Sequence, residues 1–399
     1  MMDWNSLRAK FHLPDGVIYL DGNSLGPMPK TVPARVQATL DDWSNLLIRG
    51  WNEGAGGDGW MGWPTRLGDR IGRLIGAAPG TVTTGDTLSV KVYQALASAL
   101  HLAGDRRVIL SDSGNFPTDL YMAEGLIATV GRGWHLRTVD PADVAAAITD
   151  EVGVLMLTTV DYRTGRMHDM AALGRAARAA GVVTIWDLAH SAGAHEVDLG
   201  GVGADFAVGC TYKYLNAGPG APAFIYVRQG LHGAVRPALS GWLGHAAPFA
   251  FDLGYAPGDG IERMRIGTPP VLQMAALEAA LDIWDGIDMS ALRARSRALS
   301  DRFAAGVARR CPDLVPALAA DEARGSQVSL RHPDGYAIMQ ALIARGVIGD
   351  FRAPDILRFG FTPLFVSEVD VDGAVDHIAQ VMADAEYREA RFAVRRAVT

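Results

Sequence analysis

At 399 residues the chain can hold two domains with substantial cores, and its formal net charge of −7, with only 20% charged residues and scattered Lys and Arg, excludes non-specific nucleic-acid binding. Its two cysteines, Cys210 and Cys311, cannot build a disulfide framework and fit a reducing compartment. The opening Met-Met-Asp-Trp-Asn-Ser lacks a signal-peptide layout and no apolar run nears membrane-span length, so a soluble cytoplasmic protein without membrane partners is expected.

Apolar runs and helical patterns alternate through the middle of the chain at the spacing of an α/β domain. In chain order the pattern predicts helices over 90–100, 118–129, 143–148 and 170–180. Strands are predicted over 107–111, 134–139, 152–159, 182–187, 206–209 and 223–226. The connections are too long for hairpins, which implies a mostly parallel sheet covered on both faces. After Pro269-Pro270 the character changes: long helices over 271–287 and 290–309, strands over 325–330 and 356–359, and helices over 334–345 and 370–384 read as a smaller α+β domain. The 46 glycines are dispersed, and no internal repeat of fixed period is present.

Two predicted strands end in ionisable side chains. Asp187 closes Val182-Val183-Thr184-Ile185-Trp186, and Lys213 follows Phe206-Ala207-Val208-Gly209-Cys210 and precedes the turn-rich Asn216-Ala217-Gly218-Pro219-Gly220. Ionised groups at the ends of buried strands are costly unless paired or used. In parallel sheets ligands bind at these carboxyl ends, where Ser113-Gly114-Asn115-Phe116-Pro117 also falls. An acid that keeps a heteroaromatic nitrogen protonated, with a lysine that forms an imine, is the pair that pyridoxal phosphate requires. The bland alternative is a helix cap at Asp187 and a solvated loop lysine at 213. Thr87-Leu88-Ser89 opens a helix, and a hydroxyl beside free backbone N–H groups suits a phosphate as well as a plain N-cap. Gly218-Pro219-Gly220 is no dinucleotide fingerprint, and Gly-x-Ser-x-Gly is absent. His190, His195 and Asp187 lack the spacing of a metal site, so no metal is expected.

These residues sit in motifs that run almost end to end and resemble the kynureninases, pyridoxal-phosphate enzymes of the aspartate-aminotransferase-like fold. The motifs are Tyr19-Leu20-Asp21-Gly22-Asn23-Ser24-Leu25-Gly26-Pro27, Arg49-Gly50-Trp51-Asn52, Leu67-Gly68-Asp69-Arg70, the Asn115-Phe116 turn through Asp119, Gly241-Trp242-Leu243-Gly244-His245 and Arg265-Ile266-Gly267-Thr268-Pro269-Pro270. The resemblance implies fold type I: a large domain (36–270) on a mostly parallel seven-stranded sheet, a small α+β domain with its linking helix (271–399), and an N-terminal segment (1–35) packing with the small domain.

The resemblance also assigns roles. Lys213 is the Schiff-base lysine, Asp187 the partner of the pyridine nitrogen, and Tyr212 a phosphate contact and a candidate for proton transfer. Phe116 stacks on the ring, Leu88, Ser89 and Asp119 line the cofactor, and His190 lies by the ring's 3-oxygen. Trp242 and Thr268 reach the neighbouring subunit's cofactor, which implies a homodimer with shared sites. Arg358 clamps the substrate carboxylate with its two-pronged fork, and Asn23, Trp60 and Thr268 contact substrate, Trp63 being an alternative to Trp60. Animal members carry Asn and His where this chain has Thr268 and Trp60. The bacterial pattern implies hydrolysis of L-kynurenine to anthranilate and L-alanine in tryptophan catabolism, with 3-hydroxykynurenine a poorer substrate. The rivals are a cysteine desulfurase-like lyase, which needs a thiol on a mobile loop, and a catalytically inactive scaffold.

Overall fold

A computed structural model describes residues 2–54 and 59–395. Its strands are β1 (Ile18–Tyr19), β2 (Val82–Thr84), β3 (Val108–Asp112), β4 (His135–Val139), β5 (Val152–Thr158), β6 (Val183–Asp187), β7 (Phe206–Gly209), β8 (Phe224–Val227), β9 (Val315–Pro316), β10 (Gln327–Arg331), β11 (Val347–Ile348), β12 (Asp350–Arg352) and β13 (Ile356–Gly360). Seven form one sheet in the order β2-β8-β7-β6-β5-β3-β4. All its pairings are parallel except those of β8 with β7 and β2. Every residue of β3, β5 and β7 is buried, because helices cover both faces of a parallel sheet and leave no polar side.

The six strands predicted for this region coincide with β3 to β8, their ends moved by one residue at most. β2 escaped prediction: three residues are too short for an alternation, and it exists through pairing with β8. The helix predicted over 143–148 is instead a run of turns in which Ala147 N–H is shared between the carbonyls of Asp143 and Val144. So short a segment gains too few hydrogen bonds to offset helix nucleation. The helix predicted over 271–287 stops at Leu281, and a tight 3₁₀ turn over Asp282–Trp284 follows.

Several helices start at a side-chain cap. Asp169 Oδ1 accepts from Ala172 N–H (2.8 Å) ahead of Met170–Ala179, and Asp288 Oδ1 accepts from Ser290 and Ala291 N–H ahead of Met289–Arg310. Ser367 and Asp370 form a reciprocal capping box before Glu368–Ala383.

A second sheet, β12-β13-β10-β9, is antiparallel. The N-terminal residues pack on this end of the molecule. β1 pairs in parallel with β11, Phe11 meets Phe365 edge to face at 5.5 Å, and Arg8 pairs with Asp370. Leu20 N–H donates to the Ile348 carbonyl, and Gly360 N–H donates to that of Leu20. Positions 18–24 are thereby laid along β13, beside Arg358.

Helix Val271–Leu281 packs against Val32–Leu46 and Gly59–Leu74. Glu278 is 3% exposed there and accepts from Arg35 and from Arg66 (2.5 Å), while Arg70 donates to its backbone carbonyl. Removing the carboxylate leaves two arginines without their shared counter-ion. Because both are about one-third exposed, water compensates in part. Glu278→Ala is expected to lower unfolding free energy in chemical denaturation by roughly 2–3 kcal/mol, and a change below about 0.5 kcal/mol contradicts the assignment.

Candidate active site

The carboxyl end of the central sheet gathers most of the residues that the sequence singled out. β6 delivers Asp187, 3% exposed, whose carboxylate accepts one hydrogen bond among the described residues, from Ala189 N–H to Oδ1 (2.8 Å). Burial pushes its pKa up to about 6 against the opposing pull of Lys213's positive charge. The chain leaving β7 brings back Lys213, whose Nζ lies 3.0 Å from His190 Nε2. Asp187 and Lys213 influence each other electrostatically, yet no ion pair joins them. A buried acid and an amine are thus held apart at one cleft, not neutralised against each other.

His190 is buried, and burial followed by Lys213's charge holds its imidazole well below its usual pKa, so the ring is neutral. With an amine N–H donated to Nε2, the ring proton falls on Nδ1, which has no partner among the described residues. Asp119, 2% exposed at the start of helix Pro117–Val130, is pushed well up by burial and next by Asp187, and its Oδ2 is also unpartnered. Phe116 caps the same helix, and its ring is 41% exposed despite its size, 6.0 Å from Lys213 Nζ and edge to face with Tyr162 at 5.0 Å. The Tyr212 ring is similarly placed, 5.9 Å from Lys213 Nζ, and burial raises the phenol's pKa.

At the start of helix Leu88–Leu102 the cap is Thr87, whose Oγ1 accepts from Val90 N–H. Leu88 and Ser89 follow, half-buried, and the Ser89 hydroxyl has no protein partner among the described residues. Uncommitted N–H groups and a hydroxyl at a helix start suit a phosphate. An unpaired acid, an amine, an open aromatic face and such a helix end together match the nitrogen, aldehyde, ring and phosphate of pyridoxal 5'-phosphate. The residues fit the group.

The substrate residues divide. Arg358 is 1% exposed, so it is no surface ion pair. Its Nε donates to Asp350 Oδ1 (2.6 Å), NH2 to Asp350 Oδ2 and to Ser24 Oγ (3.0 Å), and NH1 to the Tyr162 carbonyl. The fork expected to be open for a substrate is therefore turned on one edge toward an internal acid, since a buried guanidinium requires a counter-ion. Asn23 is fully buried, its amide unpartnered and its oxygen against Gly360.

Among the described residues Lys213 Nζ meets His190, Phe116 and Tyr212, and not Trp242 or Thr268. Both are exposed, on segments joined by Leu243 N–H to the Ile266 carbonyl, beside the exposed Phe249 and Phe251. Trp60, 6% exposed, packs edge to face on Trp51 at 5.5 Å and against Gly50, while Trp63 is wholly buried. Sequence reasoning assigned no role to Asp350, Ser24 or Tyr162. One signal was available: an aspartate in Gly349-Asp350-Phe351 among apolar neighbours needs a buried partner.

A kynureninase from Burkholderia pseudomallei is 50% identical over 98% of this chain and 96% of its own length. One from Deinococcus radiodurans is 52% identical over 95% of this chain and 93% of its own. The chain belongs to the kynureninase family. The model of the kynureninase C-terminal domain matches residues 292–378. Membership makes the protein a pyridoxal-phosphate-dependent hydrolase acting on a carbon–carbon bond. Among solved structures, cysteine desulfurases from Thermococcus onnurineus (TM-score 0.80, 18% identity, 96% of this chain and 99% of that one) and Escherichia coli (0.77, 19%, 96% and 99%) share the fold. Cys210 and Cys311 are each 3% exposed, so neither supplies the mobile thiol of a desulfurase. No helix among the described residues is long and apolar enough to cross a membrane, and no group of metal-ligating side chains occurs among them.

Burial pushes Asp187 up to about 6, and a protonated ring nitrogen held beside it would lower that value. Affinity for pyridoxal 5'-phosphate is therefore fully present above about pH 6 and declines as pH falls through that value and toward the lowered one, by up to about tenfold per unit. Titrating apo-protein with cofactor across this range, beside Asp187→Asn, checks it. The same pH dependence in both proteins contradicts the pairing.

Proposed function

We propose that the protein hydrolyses the Cβ–Cγ bond of L-kynurenine, giving anthranilate and L-alanine, and that it works in the cytoplasm as a homodimer with Trp242 and Thr268 lent across the interface. The observation that carries the site assignment is the separation of Asp187 from Lys213 at one buried strand-end cleft. Bound there, pyridoxal 5'-phosphate supplies an aldehyde for the substrate amine and a ring that accepts electrons from the α-carbon.

The chain's own residues do the rest. Asp187 keeps the proton on the ring nitrogen. Lys213, displaced by the substrate amine, takes the α-proton as general base. His190, neutral and 3.0 Å from Lys213 Nζ, accepts a hydrogen bond from that amine and aims it. Its own Nδ1 proton is free for the ring's 3-oxygen. Tyr212, whose raised pKa keeps it protonated, is the candidate to return a proton to the β-carbon. Phe116 offers the stacking face, Ser89 with Leu88 the phosphate end, and Asp119 a further cofactor contact. Arg358 receives the α-carboxylate beside Asn23.

Selectivity rests on Trp60 and Thr268. An indole gives an added ring hydroxyl no acceptor, and a buried hydroxyl left unpaired costs about 1–3 kcal/mol. Purified protein is thus expected to convert L-kynurenine to anthranilate and alanine with kcat/KM roughly tenfold or more above that for 3-hydroxykynurenine. Product identification decides the activity, and the reverse preference sinks the selectivity argument. Lys213→Ala should retain bound cofactor while steady turnover falls by more than about a thousandfold, since imine and base disappear together. Turnover within tenfold of the parent rejects Lys213. Arg358→Lys keeps the charge without the planar fork, so KM should rise about tenfold at constant cofactor content; an unchanged KM moves the carboxylate elsewhere.

A further inference from the structure

The Arg358 guanidinium is already engaged before any substrate is considered. Of its five N–H groups, four have acceptors: Asp350 takes Nε–H and one on NH2, Ser24 Oγ takes the other on NH2, and the Tyr162 carbonyl takes one on NH1. Asp350 is 1% exposed and stands directly opposite Arg358 in the β12–β13 register. Ser24 Oγ in turn donates to Asp350 Oδ2 (2.6 Å), so serine, aspartate and arginine close a ring of hydrogen bonds.

The engaged partners are unequal. Asp350 is ionic and grips the Nε–NH2 edge with both oxygens. Ser24 is a neutral acceptor at 3.0 Å for the other NH2 hydrogen, and NH1, with two hydrogens, has one acceptor among the described residues, the neutral Tyr162 carbonyl. A carboxylate hydrogen-bonds a guanidinium about twice as strongly as a neutral group does. It can displace Ser24, which keeps its bond to Asp350, but not Asp350 itself. Charge favours the arrival: Arg352 also pairs with Asp350 (2.7 Å), and Asp21, facing the same cluster, has its pKa pushed up to about 7 by burial first and by Asp350's charge second. Two arginines therefore face the ionised Asp350, and the raised pKa of Asp21 reduces the opposing negative charge beside them.

We infer that Asp350 is a positioning residue that presents the NH1–NH2 edge of Arg358 to the substrate α-carboxylate, and that Ser24 holds the carboxylate's place on NH2 until substrate arrives. The inference rests on the role of Arg358 given above. Tyr162 joins in from the side of the cofactor, its carbonyl on NH1 and its ring on Phe116.

The test compares binding of L-kynurenine with that of its decarboxylated amine to holoenzyme variants, read from the cofactor's absorbance. Arg358→Lys should narrow the preference for the carboxylate-bearing ligand by at least about tenfold, and Asp350→Asn by a similar factor, with little further change in the double variant because both act on one contact. Asp350→Glu, which keeps the ion pair but shifts the guanidinium by a methylene, should narrow it too, and it serves if Asp350→Asn does not fold. Ser24→Ala should leave L-kynurenine affinity within about threefold of the parent or improve it, since the carboxylate no longer displaces a hydroxyl. If Arg358→Lys narrows the preference while both Asp350 variants retain it, the positioning role is overturned and the Arg358 reading stands. If Arg358→Lys itself changes nothing, the Arg358 reading fails. A loss of tenfold or more in Ser24→Ala overturns the place-holding role.

Discussion

Everything at this site follows from burying charge without cancelling it. Asp187 and Lys213 come from adjacent strands of one sheet, and direct pairing would have been the cheapest way to place them there. The fold instead keeps them apart, leaving a carboxylate with one backbone N–H and an amine with one imidazole. The strain shows in the raised pKa of Asp187 and the depressed pKa of His190. Asp187 is sealed in because β5, β6 and β7 pack around it, whereas Lys213, on the loop leaving β7, is partly open to solvent. A ring carrying positive charge at one end and an aldehyde at the other removes both penalties.

The opposite solution appears some residues away. At Arg358 the charge is neutralised internally, by Asp350, and the proposed carboxylate recognition would depend on how much of the guanidinium is left over. One protein therefore uses two regimes of buried electrostatics, an open pair for covalent chemistry and a nearly closed one for recognition. The difference is suited to the ligands. A cofactor stays, so its site can be unfinished without it; a substrate leaves each cycle, and its site has to be stable when empty.

The central sheet was legible because burial on both faces writes a strand as an unbroken apolar run, and Asp187 and Lys213 stood out as interruptions at the ends of such runs. The helix at 170–179 was legible through its pattern and its Asp169 cap. What escaped was either too short, as with β2, or too local, as with the turns at 141–147, where alanine-rich sequence suggested more helix than six residues can sustain. The Asp350–Arg358–Ser24 ring escaped for another reason. Its members come from a hairpin and from the far N-terminus, and no periodicity links positions that distant. Likewise, exposed Trp242 and Thr268 are explained by the family resemblance and not by their surroundings within one chain.

The pairing of β1 with β11 has a consequence for how the protein is made. Ile18 and Val347 lie roughly 330 residues apart, so at 5–20 residues per second a ribosome needs roughly 15–65 s between them. Through that interval Phe11, Tyr19 and Leu20 have no sheet to rest on, although the seven-stranded layer can already be forming. A chain interrupted before β11 therefore leaves the apolar residues of positions 11–20 without the surface they are buried against.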